Sequence, residues 1–388
     1  MKPTGTKNKV FGYLASRLIF FVLSEVVLRV CLLHFADEPR FKTYASGEMI
    51  QNRYSEARLI LHDSLFYVTN PKFAYGPNKH NEQGFRGEEI ERNSNQTKIR
   101  IACLGGSTTY SDGVKDYKES YPFLLQSFLG EMGQKVEVIN AGVPGYNSLQ
   151  NLKNYELRIK HLEPDYIVLY QGINDLQNRL VWPPEAFQDR PTVSSTPKKH
   201  RSTPLWSSIS CIRVPLVMLK LIESQTSLEA IIEVPDTYVG DEYRTQLMSG
   251  NYPTDLFKEV SIDSILTINT ARYFEINTRQ LIVAAEQAGS KVVLVTFVYS
   301  SDFEDIAPKL SRPEFQERLV EHNDIMRSLS EEFSLDLINL ANTFEARPEL
   351  FTNGIHFNAE GNRQRSRQMA IVLQNIISHQ ETLEAHYR

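Results

Sequence analysis

The sequence predicts an α/β protein built on a parallel sheet with helices on both faces. Three observations carry that reading. Short, near-continuous apolar runs recur at residues 100–104, 136–139, 166–170, 291–297 and 335–338. A run apolar on every position suits a strand buried on both faces, as parallel strands are. Between these runs, apolar residues return at helical spacing. The chain has 388 residues, 41% hydrophobic and 23% charged, which is enough for one large α/β domain plus accessories.

The elements follow in order. Residues 1–9 form a short tail carrying Lys2, Lys7 and Lys9, and residues 10–35 are mostly apolar. That length is enough to cross a bilayer, so a membrane-spanning or membrane-associated helix is expected there. Arg17, Glu25 and Arg29 interrupt it, and each charge near mid-membrane costs roughly 2.5–3.5 kcal/mol, so the span is weak. Glu25 and Arg29 stand at i,i+4 and pair on one helix face. Basic residues before the segment favour a cytoplasmic N-terminus, which places the following domain outside an inner or plasma membrane.

Residues 36–97 carry many turn formers, such as Tyr75-Gly76-Pro77-Asn78, and read as a stalk or strap. Residues 98–378 form the main domain. Its first helix carries Tyr121, Leu125, Phe128, Leu129 and Met132, with Gly133 as the stop. A second helical face holds Leu281, Ala284, Ala285 and Ala288, closed by Gly289. Residues 369–377 give the apolar face of a last helix, for which Asn358 is a good N-cap; residues 379–388 read as a tail. An irregular insertion, about 177–262, includes a helix candidate at 214–222 and reads as a lid or recognition element.

Net charge is −5, with no basic stripe interleaved with aromatics, so nucleic acid is not an expected partner. Cys31, Cys103 and Cys211 are three scattered cysteines, neither a disulfide framework nor a zinc site. No metal or cofactor is expected.

Four segments bear chemistry: Gly105-Gly106-Ser107-Thr108-Thr109, Asn140-Ala141-Gly142, Gly172-Ile173-Asn174-Asp175 and Asn353-Gly354-Ile355-His356. Three of them follow predicted strands, where open α/β sheets place their ligands. Ser107 sits on a glycine-rich turn able to approach a carbonyl, and no Gly-Lys-Ser/Thr follows to make it a phosphate loop. Gly142 and Asn174 stand at neighbouring strand ends and offer N–H donors; Asp175 orients the loop. His356 follows the fifth strand, within reach of the serine as its base.

The order and context of these segments resemble the SGNH/GDSL hydrolases over roughly residues 98–180 and 288–376. The resemblance implies a flavodoxin-like three-layer α/β/α sandwich with a mainly five-stranded parallel sheet. It implies Ser107 as nucleophile, His356 as base, and the Ser107 N–H, Gly142 and Asn174 as oxyanion donors. It implies an acyl-ester substrate, including O-acetyl groups on envelope carbohydrate. One position departs: where the family carries Asp three residues before the histidine, this chain has Asn353. An amide accepts from the imidazole but supplies no charge, and a rotated amide fixes the wrong tautomer. Two alternatives therefore stay open: an O-acyltransferase using the same site, or a catalytically weak carbohydrate- or lipid-binding protein.

Overall fold

The computed structural model describes residues 5–46, 49, 58–62, 64–71, 73–91, 98–181, 183, 209–221, 256–305 and 307–387. The chain divides into two compact units, Met1–Phe66 with Ser195–Pro235, and Tyr67–Ser194 with Asp236–Arg388.

The larger unit is built on a wholly parallel five-stranded sheet of β1 (Ile99–Gly105), β2 (Val136–Asn140), β3 (Tyr166–Tyr170), β4 (Lys291–Val295) and β5 (Asp336–Ile338). The spatial order is β2-β1-β3-β4-β5. The order reverses beside β1, because the chain leaves β1 for one neighbour and returns to pair on its other side. Such a switch point opens a crevice beyond the strands' carboxyl ends. The register sets Gly105 opposite Tyr170, so β1 and β3 end level there.

Among the described residues, the helices used below are α1 (Ser107–Tyr110), α2 (Tyr121–Glu131), α3 (Ser148–Asn154), α4 (Ile173–Asn178), α5 (Arg272–Gln287), α6 (Pro313–Glu332) and α7 (Ala359–Tyr387). The period-2 alternation of strand side chains divides the core into two layers. Ile101, Cys103, Val168, Tyr170, Val293 and Val295 face Leu125 and Leu129 of α2 and Met369 and Leu373 of α7. Ala102, Leu104, Ile167, Leu169, Val292 and Leu294 face Leu152 of α3 and Leu281, Ile282 and Ala285 of α5. The central strand β3 is buried at every position because it fills both layers.

The predicted helix stops are present. The N–H of Gln134 reaches the Leu129 carbonyl at 3.0 Å around Gly133, whose φ of +90° suits glycine. Met132 is the cap residue rather than core, 37% exposed. The fourth strand is shorter than expected: past Val295 the Phe297 N–H donates to Asn323 Oδ1 at 2.6 Å, leaving the ladder. Asn358 caps α7 by accepting from the Gly361 N–H at 2.9 Å. α7 continues to Tyr387, through most of the expected tail.

Within the strap, the predicted turn at Gly76 joins Ala74–Tyr75 to Asn78–Lys79 as an antiparallel pair. Of the insertion, residues 184–208 and 222–255 lie outside the described residues, and the lid reading with them. Its helix is Ser210–Met218, earlier than the predicted 214–222, and belongs to the smaller unit.

In that smaller unit a helix spans Gly5–His34 and carries the expected Glu25–Arg29 pair at 2.6 Å. The other Glu25 oxygen accepts the Cys211 N–H at 2.8 Å, satisfying a donor at the start of Ser210–Met218. Leu32, Phe41, Ala45 and Met49 form its small core, with Val214 against them. This helix covers all but the last of the expected residues 10–35, and the spanning form of that expectation finds no support. Among the described residues no helix is long and apolar enough to cross a membrane. Arg17, Glu25 and Arg29 interrupt the apolar run, as the insertion costs above anticipate.

Candidate active site

Ser107 opens α1 immediately beyond β1, 9% exposed. As the first helical residue it has a backbone N–H with no intrahelical acceptor. The two preceding glycines are required by the protein's own groups. A Cβ on Gly105, whose φ is +157°, would stand 2.1 Å from the Tyr170 carbonyl oxygen and 2.2 Å from Thr109 Oγ1. A Cβ on Gly106 would stand 2.4 Å from Asn174 Nδ2. The expectation that both glycines clear room for a substrate therefore changes: they let β3 and the Asn174 amide close on the serine turn.

His356 Nε2 lies 2.7 Å from Ser107 Oγ, across 249 residues of sequence. Its Nδ1 lies 3.0 Å from Asn353 Oδ1. That oxygen also accepts the backbone N–H of His356 at 3.1 Å and of Ile355 at 3.4 Å. Backbone N–H groups need an acceptor, so the amide carbonyl, not its NH2, faces the ring. Nδ1 therefore carries the hydrogen and Nε2 presents a lone pair to the serine. Asn353 fixes the tautomer an aspartate would fix, without the charge. The turn is closed by a Phe351–Phe357 bridge and by the Thr352 N–H on the His356 carbonyl at 2.8 Å.

Asn174 donates from Nδ2 to the Tyr146 carbonyl at 2.8 Å. Its amide has a second N–H, and its place against Gly106 brings that group to the serine turn. Gly142 is differently engaged: its N–H donates to Asn140 Oδ1 at 3.2 Å. A Cβ there would lie 2.2 Å from the Tyr110 nitrogen, so Gly142 also lets the β2 end pack against α1. Asp175 points away from Ser107. It accepts the Ser148 N–H at 3.0 Å and the Ser148 hydroxyl, bracing the start of α3. Burial raises its carboxyl from 3.8 to about 6, against the lowering effect of those Ser148 bonds.

The sequence reading missed the groups behind the serine turn. Arg86 from the strap donates to the Tyr110 carbonyl at 2.7 Å and the Ser111 carbonyl at 2.9 Å. Arg365 from α7 donates to the Thr108 carbonyl at 2.8 Å. Gly113 presses on the histidine turn, where an added Cβ would meet the Phe357 oxygen at 2.0 Å. His322 bonds the Gly172 carbonyl through Nδ1 at 3.0 Å, with Arg179 3.0 Å from Nε2. Burial, then the Arg179 charge, hold it well below the usual histidine range. Among the described residues no cluster of three or more His, Cys, Asp or Glu is placed to hold a metal.

The Ser107–His356 pair stands beyond the carboxyl ends of a 2-1-3-4-5 parallel sheet. The family model of GDSL-like lipases and acylhydrolases matches residues 103–364, and the chain belongs to that family. Among solved structures, it is similar to an acetyl xylan esterase, at 18% identity and a TM-score of 0.40, over 70% of this chain and 98% of that one. It is also similar to the lipase/acylhydrolase from Enterococcus faecalis, at 17% identity and a TM-score of 0.41, over 71% of this chain and 96% of that one. A third likeness, at 10% identity and a TM-score of 0.39, is to a putative lipolytic protein of the G-D-S-L family from Desulfitobacterium hafniense, over 71% and 99%. A search of curated protein sequences finds no match.

Proposed function

We propose that this protein is a serine ester hydrolase working through Ser107 and His356. The observation that carries the proposal is the chain of contacts from Ser107 Oγ to His356 Nε2 at 2.7 Å and from Nδ1 to Asn353 Oδ1 at 3.0 Å. Ser107 Oγ attacks the ester carbonyl carbon while His356 Nε2 takes its proton. The carbonyl oxygen becomes an oxyanion, held by the Ser107 N–H and the second Asn174 N–H. A donor of this kind is worth about 2.7–4 kcal/mol in the rate step. Gly142 joins them only by giving up its bond to Asn140. His356 returns the proton to the leaving alcohol, and the acyl group stays on Ser107. Water, deprotonated by the same Nε2, then releases the acid and restores the serine.

The substrate class is an acyl ester. Short acyl groups on carbohydrate are the narrower proposal, resting on the family's range. Asn353 favours a second reading, a site that binds an acylated ligand and turns it over slowly, because the imidazolium formed in each step has no carboxylate beside it. The test is fluorophosphonate labelling of the full-length protein, followed by peptide mapping. The adduct is expected on Ser107 and absent in Ser107→Ala. A label on another serine, or none on the wild type, overturns the assignment. Parallel assays on aryl acetate, aryl octanoate and acetylated xylan then rank the acyl group and the alcohol.

A further inference from the structure

Asn174 lies on α4, a helix of only 6 residues. A helix so short is marginal on its own, so other groups must hold its ends. Both ends lead to one buried side chain, His322 of α6. His322 Nδ1 lies 3.0 Å from the carbonyl oxygen of Gly172, the residue that caps the start of α4. His322 Nε2 lies 3.0 Å from Nη1 of Arg179, the residue that caps its end. A guanidinium only donates, so Nε2 accepts, and the ring hydrogen sits on Nδ1 and is donated to the Gly172 carbonyl. Phe274 of α5 stacks on the ring at 4.4 Å, with 6° between the planes, and fixes the plane of the imidazole.

Arg179 is held in its turn. Its Nε donates to the Asn269 carbonyl at 2.5 Å, its Nη2 to the Leu266 carbonyl at 3.0 Å, and its Nη1 pairs with Glu321 Oε2 at 2.9 Å. The Asn269 side chain returns a bond to the Arg179 carbonyl at 2.7 Å. A protonated His322 would lose its acceptor for Arg179 and set two cations 3.0 Å apart. Burial, then that neighbouring charge, oppose this protonation and preserve the Nδ1–H donor.

Asn174 follows the Gly172 carbonyl by two residues, in the first turn of α4. Its Nδ2 lies 2.8 Å from the Tyr146 carbonyl and is the atom that a Cβ on Gly106 would meet at 2.4 Å. The amide therefore sits against the serine turn with little room for displacement. Gly172 has a φ of +136°, and a glycine released from its partner has many other conformations to occupy.

We infer that His322 is a positioning residue for the reaction: by tying the two ends of α4 through one imidazole, it holds the Asn174 amide against the Ser107 turn. The inference rests on the reading of Asn174 as an oxyanion donor given above. Asp175 ties the same helix towards α3 through Ser148, from the residue after Asn174. His322 acts from the other side, through the residues that open and close the helix.

The experiment compares two variants of the full-length protein that each keep one of the two bonds. His322→Asn places its side-chain NH2 where Nδ1 stands, so it keeps a donor for Gly172 and drops the acceptor for Arg179. His322→Gln reaches further, accepts from Arg179 and leaves the Gly172 carbonyl without this donor. Both lose the stacked ring, so a merely structural role costs both alike. On an aryl acetate, His322→Gln should lose about tenfold in kcat with KM little changed, a fraction of the roughly 10²–10³ lost when an oxyanion donor is removed outright. His322→Asn should recover most of that loss, and fluorophosphonate labelling of Ser107 should follow kcat. In an Asn174→Ala background the difference between the two variants should vanish, because the residue through which His322 acts is gone. Equal kcat in the folded Asn and Gln variants, or a difference that persists without Asn174, overturns the inference. Should His322→Gln not fold, His322→Asn decides alone: its kcat should stay within about threefold of wild type, and a fall of about tenfold overturns the inference. An Asn174→Ala protein as active as wild type sinks the oxyanion reading instead, and absence of labelling in the wild type sinks the serine assignment.

Discussion

The nucleophile turn and the histidine turn are held by different means. Ser107 sits on a turn gripped from behind by two buried guanidinium groups, Arg86 and Arg365, and closed by Thr109 Oγ1 on the Tyr170 carbonyl at 3.2 Å. His356 is held on a tight turn by the Asn353 carbonyl, a β-bridge and the aromatic contact of Phe351 with Phe357 at 4.2 Å. One side rests on buried charged side chains, the other on a turn. Geometry here is complete without the carboxylate. The charge of such a site and its geometry can therefore be separated by experiment, because different residues carry them.

The largest effect should come from breaking the geometry alone. Gly113 lies on the segment after α1 and touches the Phe357 carbonyl, so Gly113→Ala must push the two turns apart. A displacement of about 1 Å at reacting groups costs on the order of 10²-fold in rate. We expect kcat to fall by about that factor, with a smaller loss of thermal stability from overpacking of about 1–3 kcal/mol. An unchanged kcat in a folded variant means that the contact does not set the Ser107–His356 distance.

A smaller effect should come from adding charge to the histidine side. Asn353→Asp keeps the acceptor on Nδ1 and makes it anionic. The tautomer is already correct here, so the gain is less than the roughly 10⁴ lost in the Asp-to-Asn change of the serine-protease example. A charge-assisted bond exceeds a neutral one by about 1 kcal/mol, which gives roughly a fivefold rise in kcat on an aryl acetate. Mass spectrometry must first verify Asn353 in the wild type, because Asn-Gly pairs deamidate. A fall in kcat would show that the two backbone N–H bonds to Oδ1, not the ring contact, are what position 353 supplies.

How much of this comparison could be read from the chain varies by side. The strands were legible because a fully apolar run has few other places to go, and Gly133 and Gly289 punctuate their helices as expected. Ser107 and His356 were legible as residue types at strand ends. The partner of Gly142 was not, since the Asn140 side chain can turn to the backbone two residues on only once the loop is folded. Arg365 lies between Arg363 and Arg367, and no motif in the chain singles it out. Yet Arg365 stands four residues before buried Met369 and eight before buried Leu373, on the core stripe of α7. Periodicity extended across polar residues would have found it. The membrane reading sets the length of the apolar run against the three charges inside it, and its spanning form finds no support among the described helices.

The smallest effect on rate, and the sharpest on pH dependence, concerns Asp175, next to Asn174 in sequence but bonded to Ser148. Its folded-state value of about 6 lies above the ordinary 3.8, so the native protein holds this proton more tightly than the unfolded chain. Below about pH 4 both states are protonated. Between about pH 4 and pH 6 the unfolded state releases its proton first, and stability from this group falls as pH rises. Above about pH 6 the loss is complete and flat, at about 3 kcal/mol, because each pH step between the two values is worth about 1.4 kcal/mol. Asp175→Asn is neutral throughout; its carbonyl can accept the Ser148 N–H and its NH2 can donate to the Ser148 hydroxyl. The difference in melting temperature, variant minus wild type, should therefore swing toward the variant between about pH 4 and pH 7. Taking the difference cancels other carboxylates, such as Glu88, whose lowered value gives a slope of the opposite sign. kcat should change little, since the Asn174 amide keeps its anchor on the Tyr146 carbonyl. If the difference is the same at every pH, Asp175 releases its proton in the folded protein at the same pH as in the unfolded chain, and burial against Ser148 does not hold it back.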